Sequence, residues 1–199
     1  MNDYEVWEIG EHTLEYYDDD HLYLVDGIPV DSITQILGKK FKGEYADINA
    51  EVLRRAAEKG TAVHKAIEDW CKGGVNSDYP ELRSFKTLKR LYDFEVLENE
   101  TPVILSDRDG EVIAAGRLDL VLKMDDKIGG ADIKRTATIN KEKFGYQLNL
   151  YRIAYRQCYG IEWEFLRIVH VREDKKQFIE IPINEDMTWD LIEEYKNGR

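Results

Sequence analysis

Two short segments carry residue types that can do chemistry together: Gly116-Arg117-Leu118-Asp119 and Gly130-Ala131-Asp132-Ile133-Lys134. Each aspartate stands in an apolar strand context, Asp119 ahead of Leu120-Val121-Leu122 and Asp132 ahead of Ile133. A carboxylate in a half-buried strand is costly unless it is paired or bound to a metal. Strand alternation puts Asp132 and Lys134 on one face and Ile133 on the other. A turn near Asp125-Asp126 folds these strands side by side and brings Asp119 close to Asp132. Two carboxylates and one ammonium are the parts needed for metal-assisted phosphodiester hydrolysis. The carboxylates offer hard oxygen ligands to Mg²⁺ or Mn²⁺, and such a cation activates water and offsets phosphate charge. The lysine orients that water or stabilises the transition state. For an Asp-x-Lys taken alone, a surface ion pair between Asp132 and Lys134 is the commoner arrangement.

The elements that must position these residues are legible from hydrophobic period and turn chemistry. His12 to Val30 alternates apolar and polar residues, with turns at Asp18-Asp19-Asp20 and Asp26-Gly27, which predicts a small antiparallel hairpin. Asp31-Ser32 caps a short helix ending near Gly38. From Ala46 to Trp70 apolar residues recur at helical spacing. Gly60 interrupts that pattern, so either two helices meet there or something approaches the backbone closely. A second helix is expected over Tyr79 to Leu97, opened by Pro80. The period then changes to strands at Thr101–Leu105, Val112–Leu122 and Lys127–Lys134, followed by a helix from Asn140 to Tyr159. Trp163–Val171 and Gln177–Ile183 read as two more strands, and Asp186–Lys196 as a closing amphipathic helix. The expected fold is α/β (α+β), a central mixed sheet flanked by helices. It forms one domain over 1–199, with a hairpin and first helix at 1–43, a helical segment carrying His64 at 44–97, and a sheet core at 98–199.

Taken in order, G-R-L-D at 116–119, A-D-I-K at 131–134 and Gln147-Leu-Asn-Leu-Tyr151 resemble the PD-(D/E)XK nuclease superfamily. The closer likeness is to its RecB-like exonuclease branch and related phage nucleases. That branch has an upstream Gly-x-x-x-His helix, matched by Gly60-Thr61-Ala62-Val63-His64, with an acidic residue soon after, matched by Glu68. The segment Pro29-Val-Asp-Ser32-Ile-Thr34 is similar to the start of several phage members, so the likeness runs from about Tyr23 to Tyr151. The resemblance implies a restriction-endonuclease-like core in which Asp119, Asp132 and His64 ligate the metal and Lys134 is the catalytic lysine. It also implies coordination by the Ile133 carbonyl, and a place for Gln147 and Tyr151 near the active site and DNA. The proline of the superfamily's name is replaced by Leu118, a feature shared by many RecB-like members.

Helical spacing agrees with part of this, since His64 and Glu68 lie one turn apart and share a face. Glu68, more simply a solvated helix carboxylate, and Glu100, more simply a loop carboxylate beside Glu98, are outside candidates. DNA contact is expected from Lys59 and Lys65 around His64, and from Arg135, Lys141, Lys143 and Arg152 around the motif strand and helix.

A net charge of −12 argues against coating nucleic acid by charge alone, but not against an enzyme that gathers cations with carboxylates. At 43% hydrophobic and 34% charged, the chain reads as a globular protein with neither a signal peptide nor a membrane span, expected in the cytoplasm. Cys71 and Cys158 are too few for a disulfide scaffold or an iron–sulfur cluster. No phosphate-binding loop is present, so any helicase or recombinase is a separate partner. A homo-oligomer, toroidal by analogy with some phage exonucleases, is compatible with the chain but not required by it. The leading expectation is a Mg²⁺- or Mn²⁺-dependent deoxyribonuclease acting in recombination or DNA processing, an exonuclease. The alternatives are a catalytically inactive nucleic-acid-binding module of the same fold, and an acidic interaction protein.

Overall fold

A computed structural model describes residues 4–18, 20–43 and 48–198. The chain opens with a four-stranded antiparallel meander: β1 (Tyr4–Ile9), β2 (His12–Tyr17), β3 (Leu22–Val25) and β4 (Ile28–Ser32). The expected hairpin is therefore only part of the unit. β1 escaped the alternation pattern because it is an edge strand, exposed over Tyr4, Glu5 and Val6, with Glu5 and Glu8 among its apolar residues. The β3–β4 turn places Asp26 and Gly27 both at positive φ, as a two-residue hairpin loop of this hand requires. Ser32 then caps α1 (Ile33–Lys40) in a reciprocal box with Gln35.

α2 (Ala50–Gly73) is one unbroken helix that runs straight through Gly60. A Cβ added at Gly60 would meet nothing within 4 Å, so neither a helix junction nor a close approach explains that glycine. Ala46, the expected start of this helix, lies outside the described residues. α3 (Pro80–Tyr92) is five residues shorter than the Leu97 end expected, because Asp93 turns left-handed at φ 49° and a strand begins at Glu95.

That strand, β5 (Glu95–Ser106), pairs antiparallel with β6 (Val112–Met124) along most of its length. A hairpin with Asp125 and Asp126 at positive φ leads to β7 (Lys127–Lys134). Next come α4 (Lys141–Tyr159), β8 (Phe165–Val171), β9 (Lys176–Ile181) and α5 (Glu185–Asn197). The sheet is mixed, in the order β1-β2-β3-β4-β6-β7-β8-β9, with β5 on the other side of β6. β4 pairs with β6 in parallel, as β7 does with β8. Helices cover both faces. Ile33, Leu148, Ile153 and Leu191, from α1, α4 and α5, join one core, while Val63, Ile67, Leu82 and Phe85, from α2 and α3, join another. The fold is thus α+β with a central mixed sheet flanked by helices, as expected.

One feature of β6 prepares the site. On the side away from β5, its residues Ala114 and Ala115 pair with β4, and its residues from Leu120 onward pair with β7. Residues 116–119 pair with neither, so β4 and β7 fork apart around the Gly116-Arg117-Leu118-Asp119 segment.

Candidate metal centre

The fork leaves backbone groups that need partners, and Asp119 supplies one. Its Oδ2 accepts a hydrogen bond from the backbone N–H of Ile133 at 2.6 Å, two residues beyond Ala131, whose pair with Leu120 ends the β6–β7 ladder. The other oxygen, Oδ1, faces Nδ1 of His64 at 3.6 Å, too far for a hydrogen bond. Nε2 of His64 lies 3.0 Å from the Ile133 carbonyl. A carbonyl can only accept, so Nε2 carries a hydrogen, and in the neutral tautomer this fixes, Nδ1 holds the lone pair on the side of Asp119. A backbone carbonyl that fixes a histidine tautomer in this way is the usual support of a metal-ligating imidazole. The Ile133 carbonyl, expected to coordinate, here orients His64.

Glu100 completes a cluster. One ligand atom from each of His64, Glu100 and Asp119 lies within 4.8 Å of the other two. Glu100 sits in β5 between residues paired with Leu118 and Leu120, hence opposite Asp119, and its φ of 50° is left-handed in mid-strand. Such a conformation costs a non-glycine residue about 1–3 kcal/mol and is characteristic of working sites. Burial, and then the Asp119 carboxylate, push the Glu100 carboxyl up to about 7, against the nearby Arg117. Two carboxylates and an imidazole converge in one partly buried place, with the Arg117 guanidinium 3.6 Å from Glu100. Their oxygen and nitrogen donors suit a divalent cation such as Mn²⁺ or Mg²⁺.

Asp132 lies outside that trio. Its Oδ1 accepts from Gln147 Nε2 at 3.0 Å, and its Oδ2 lies 2.5 Å from Lys134 Nζ. Burial pushes its carboxyl up to about 6, with Lys134 opposing and Asp119 adding to the rise. Asp132 and Lys134 share a face of β7 as alternation predicts, and the Lys134 ammonium also stands 4.9 Å from the Phe144 ring centroid. Gln147 and Tyr151, one turn apart on α4, are buried at 6% and 5% exposure. Gln147 supports the Asp132 carboxylate, and neither side chain makes a wall open to DNA. The Tyr151 ring lies against Gly116, where a Cβ would come 3.1 Å from Cε1, so the glycine of the first segment leaves space for this tyrosine.

The remaining expected contacts are more dispersed. Glu68 pairs with Lys72 at 2.6 Å and Lys65 at 3.5 Å, and does not join the trio. Lys65 also binds Asp69, and Lys59 binds Glu173. Arg135 bonds to the fully buried Glu81 at 2.6 Å. Arg152, expected to touch DNA, is buried; it donates to the Trp163 carbonyl and pairs with Glu162 and Glu185. Lys141 is exposed, and Lys143 lies half-buried beside the Asn140 cap of α4. Sequence reasoning missed Arg117, which pairs with Glu5 at 2.6 Å and Glu100 at 3.6 Å, and gave Glu100 too little weight. The available signal was register: in an antiparallel pair, residue 100 falls opposite 119 only once the ladder is known.

No protein family and no curated protein matches the chain. Among solved structures, the chain is similar to one described as "Crystal structure of SSO0001", at 17% identity and a TM-score of 0.48, over 85% of this chain and 76% of that one. Among the described residues, no helix is long and apolar enough to cross a membrane.

Proposed function

We propose that this chain is a metal-dependent deoxyribonuclease that hydrolyses phosphodiester bonds, acting from DNA ends. The observation that carries the reading is the convergence of His64, Glu100 and Asp119 within 4.8 Å, with the Asp132–Lys134 pair on the adjoining strand. His64, Glu100 and Asp119 would hold the cation. When bound, it supplies positive charge opposite the scissile phosphate and acidity to a water molecule.

The chain's own groups do the rest. The Ile133 N–H and carbonyl hold Asp119 and His64 in fixed orientations, so little reorganisation is needed when substrate arrives. Gln147 holds Asp132, and Asp132 in turn positions the Lys134 ammonium. That ammonium is the group available to orient a nucleophilic water or to stabilise charge on the phosphate. The resemblance of G-R-L-D, A-D-I-K and Gln147-x-x-x-Tyr151 to RecB-like nucleases supports the same assignment.

The test is incubation of the protein with linear and circular DNA in Mg²⁺, Mn²⁺ or chelator, beside Lys134→Ala. Metal-dependent loss of linear but not circular DNA is expected, with the variant slower by about 100- to 1000-fold. Absence of cleavage in every arm would overturn the enzyme reading, and retained DNA binding would then favour an inactive binding module.

A further inference from the structure

Arg117 lies two residues before Asp119, and strand alternation puts both side chains on one face of β6. It falls in the stretch of β6 that pairs with neither β4 nor β7. Its side chain lines a cleft of about 1290 Å³, as do His64, Glu100 and Asp119. The guanidinium is held from the meander side. Its Nη1 donates to Glu5 Oε1 on β1 at 2.6 Å, and its Cζ lies 4.8 Å from the centroid of the Tyr16 ring on β2. Its Nε faces Glu100 Oε2 at 3.6 Å, an ion pair beyond hydrogen-bond reach. The hold on Glu5 is close, and the one on Glu100 is loose.

A divalent cation ligated by Glu100 and Asp119 would therefore meet an arginine already paired with one of its ligands. The two positive charges repel, and the contact that yields at least cost is the loose one with Glu100. Glu5 and Tyr16 still keep the guanidinium at the cleft. A guanidinium carries five N–H donors in a planar fork, which matches phosphate as well as carboxylate oxygens. With Nη1 engaged by Glu5, donors remain for a phosphate oxygen.

Building on the nuclease reading, we propose that Arg117 is a tethered counter-ion that competes with the metal for Glu100 and yields it when a phosphate enters the cleft. Cation and phosphate then bind cooperatively, because the phosphate draws the guanidinium off and Glu100 turns its charge to the metal. By linkage, the cation favours the phosphate by the same factor. Arg117 is thus a positioning residue that acts through Glu100. Glu5 sets the balance by holding the guanidinium towards the meander.

The experiment counts free Mn²⁺ by its electron paramagnetic resonance signal, which gives metal affinity without turnover. Arg117→Met should bind Mn²⁺ about tenfold more tightly than wild type, the effect of one nearby unit charge screened as by water. A merely structural arginine would give the opposite sign. Arg117→Lys keeps the charge and should stay close to wild type. Glu5→Gln should bind Mn²⁺ more weakly, because the guanidinium is left to Glu100. Glu8→Gln removes the same charge from the same strand and should change little. Glu5 is exposed on an edge strand, so its variant stands if Arg117→Met fails to fold. A second titration adds a phosphorothioate oligothymidine in a Lys134→Ala background. The oligothymidine should tighten Mn²⁺ binding about 5-fold or more with Arg117 present, and much less in Arg117→Met. Folded Arg117→Met binding Mn²⁺ no more tightly than wild type, or Glu5→Gln and Glu8→Gln behaving alike, overturns the proposal. So does an equal oligothymidine gain with and without Arg117. Any of these alongside metal-dependent cleavage by the wild type leaves the nuclease reading standing, whereas absence of both Mn²⁺ binding and cleavage overturns that reading as well.

Discussion

The carboxylate of Asp119 takes up the backbone N–H of Ile133 at 2.6 Å, standing in for the strand partner that β7 loses as it diverges from β6. This single bond ties the first chemical segment to the second. It also points the other Asp119 oxygen at His64 and leaves the Ile133 carbonyl to fix the imidazole. The grouping of His64 and Asp119 is thus a consequence of how the sheet forks.

Gln147 holds Asp132, which in turn sets Lys134, so Gln147→Ala should act on the site without touching substrate. Loss of such an outer support costs about 10- to 100-fold in activity or metal affinity. Cleavage rates measured across a Mn²⁺ titration should show this loss. Wild-type rates at every metal concentration would remove Gln147 from the site's support.

Burial, and then the facing Asp119 carboxylate, disfavour the charged form of Glu100. Glu100→Gln should therefore melt no lower than wild type in chelator, yet gain less from added Mn²⁺. A cation bound only by the folded state adds about 2.7 kcal/mol at a hundred times its Kd. Thermal melts with and without Mn²⁺ check this, and an equal metal-induced rise in both proteins would exclude Glu100 as a ligand.

Gly130 on β7 is packed beneath Trp163, where an added Cβ would come 1.9 Å from the indole ring. Trp163 is 1% exposed and cannot step aside freely. Gly130→Ala should cost about 1–3 kcal/mol or more through overpacking. Gly38→Ala, in α1 with nothing within 4 Å, should instead gain about 0.5–1 kcal/mol. Urea midpoints for the pair decide it, and similar midpoints would contradict the packing argument.

Asp107 supplies the pH-dependent link. Lys196, and after it the N–H groups of Glu111 and Asp109, hold its carboxyl below the ordinary 3.8, against the opposing pull of burial. A carboxyl whose folded pKa is depressed contributes stability that is present above 3.8 and is lost as pH falls through the lower folded value. Lys196→Met should therefore lower the urea midpoint at neutral pH, with the gap to wild type closing under strongly acid conditions. A gap that persists there would assign the effect to packing of the lysine stem.

Much of this was legible in the chain. Alternation placed Asp132 and Lys134 on one strand face, and hairpin chemistry at Asp125-Asp126 placed β6 beside β7, because both depend on neighbours a few residues apart. The helix of His64 and the spacing of Gln147 and Tyr151 followed from the 3.6-residue period for the same reason. Tertiary structure decided what depends on partners distant in sequence. Register between β5 and β6 set Glu100 opposite Asp119, and the fork between β4 and β7 turned Asp119 towards a backbone amide. Packing of α4 against the sheet buried Gln147 and Tyr151, and long-range ion pairs occupied the cations that seemed free for DNA. Residue types and periods state which groups are present. Only the assembled sheet states which of them meet, because pairing register and burial arise from the whole chain at once.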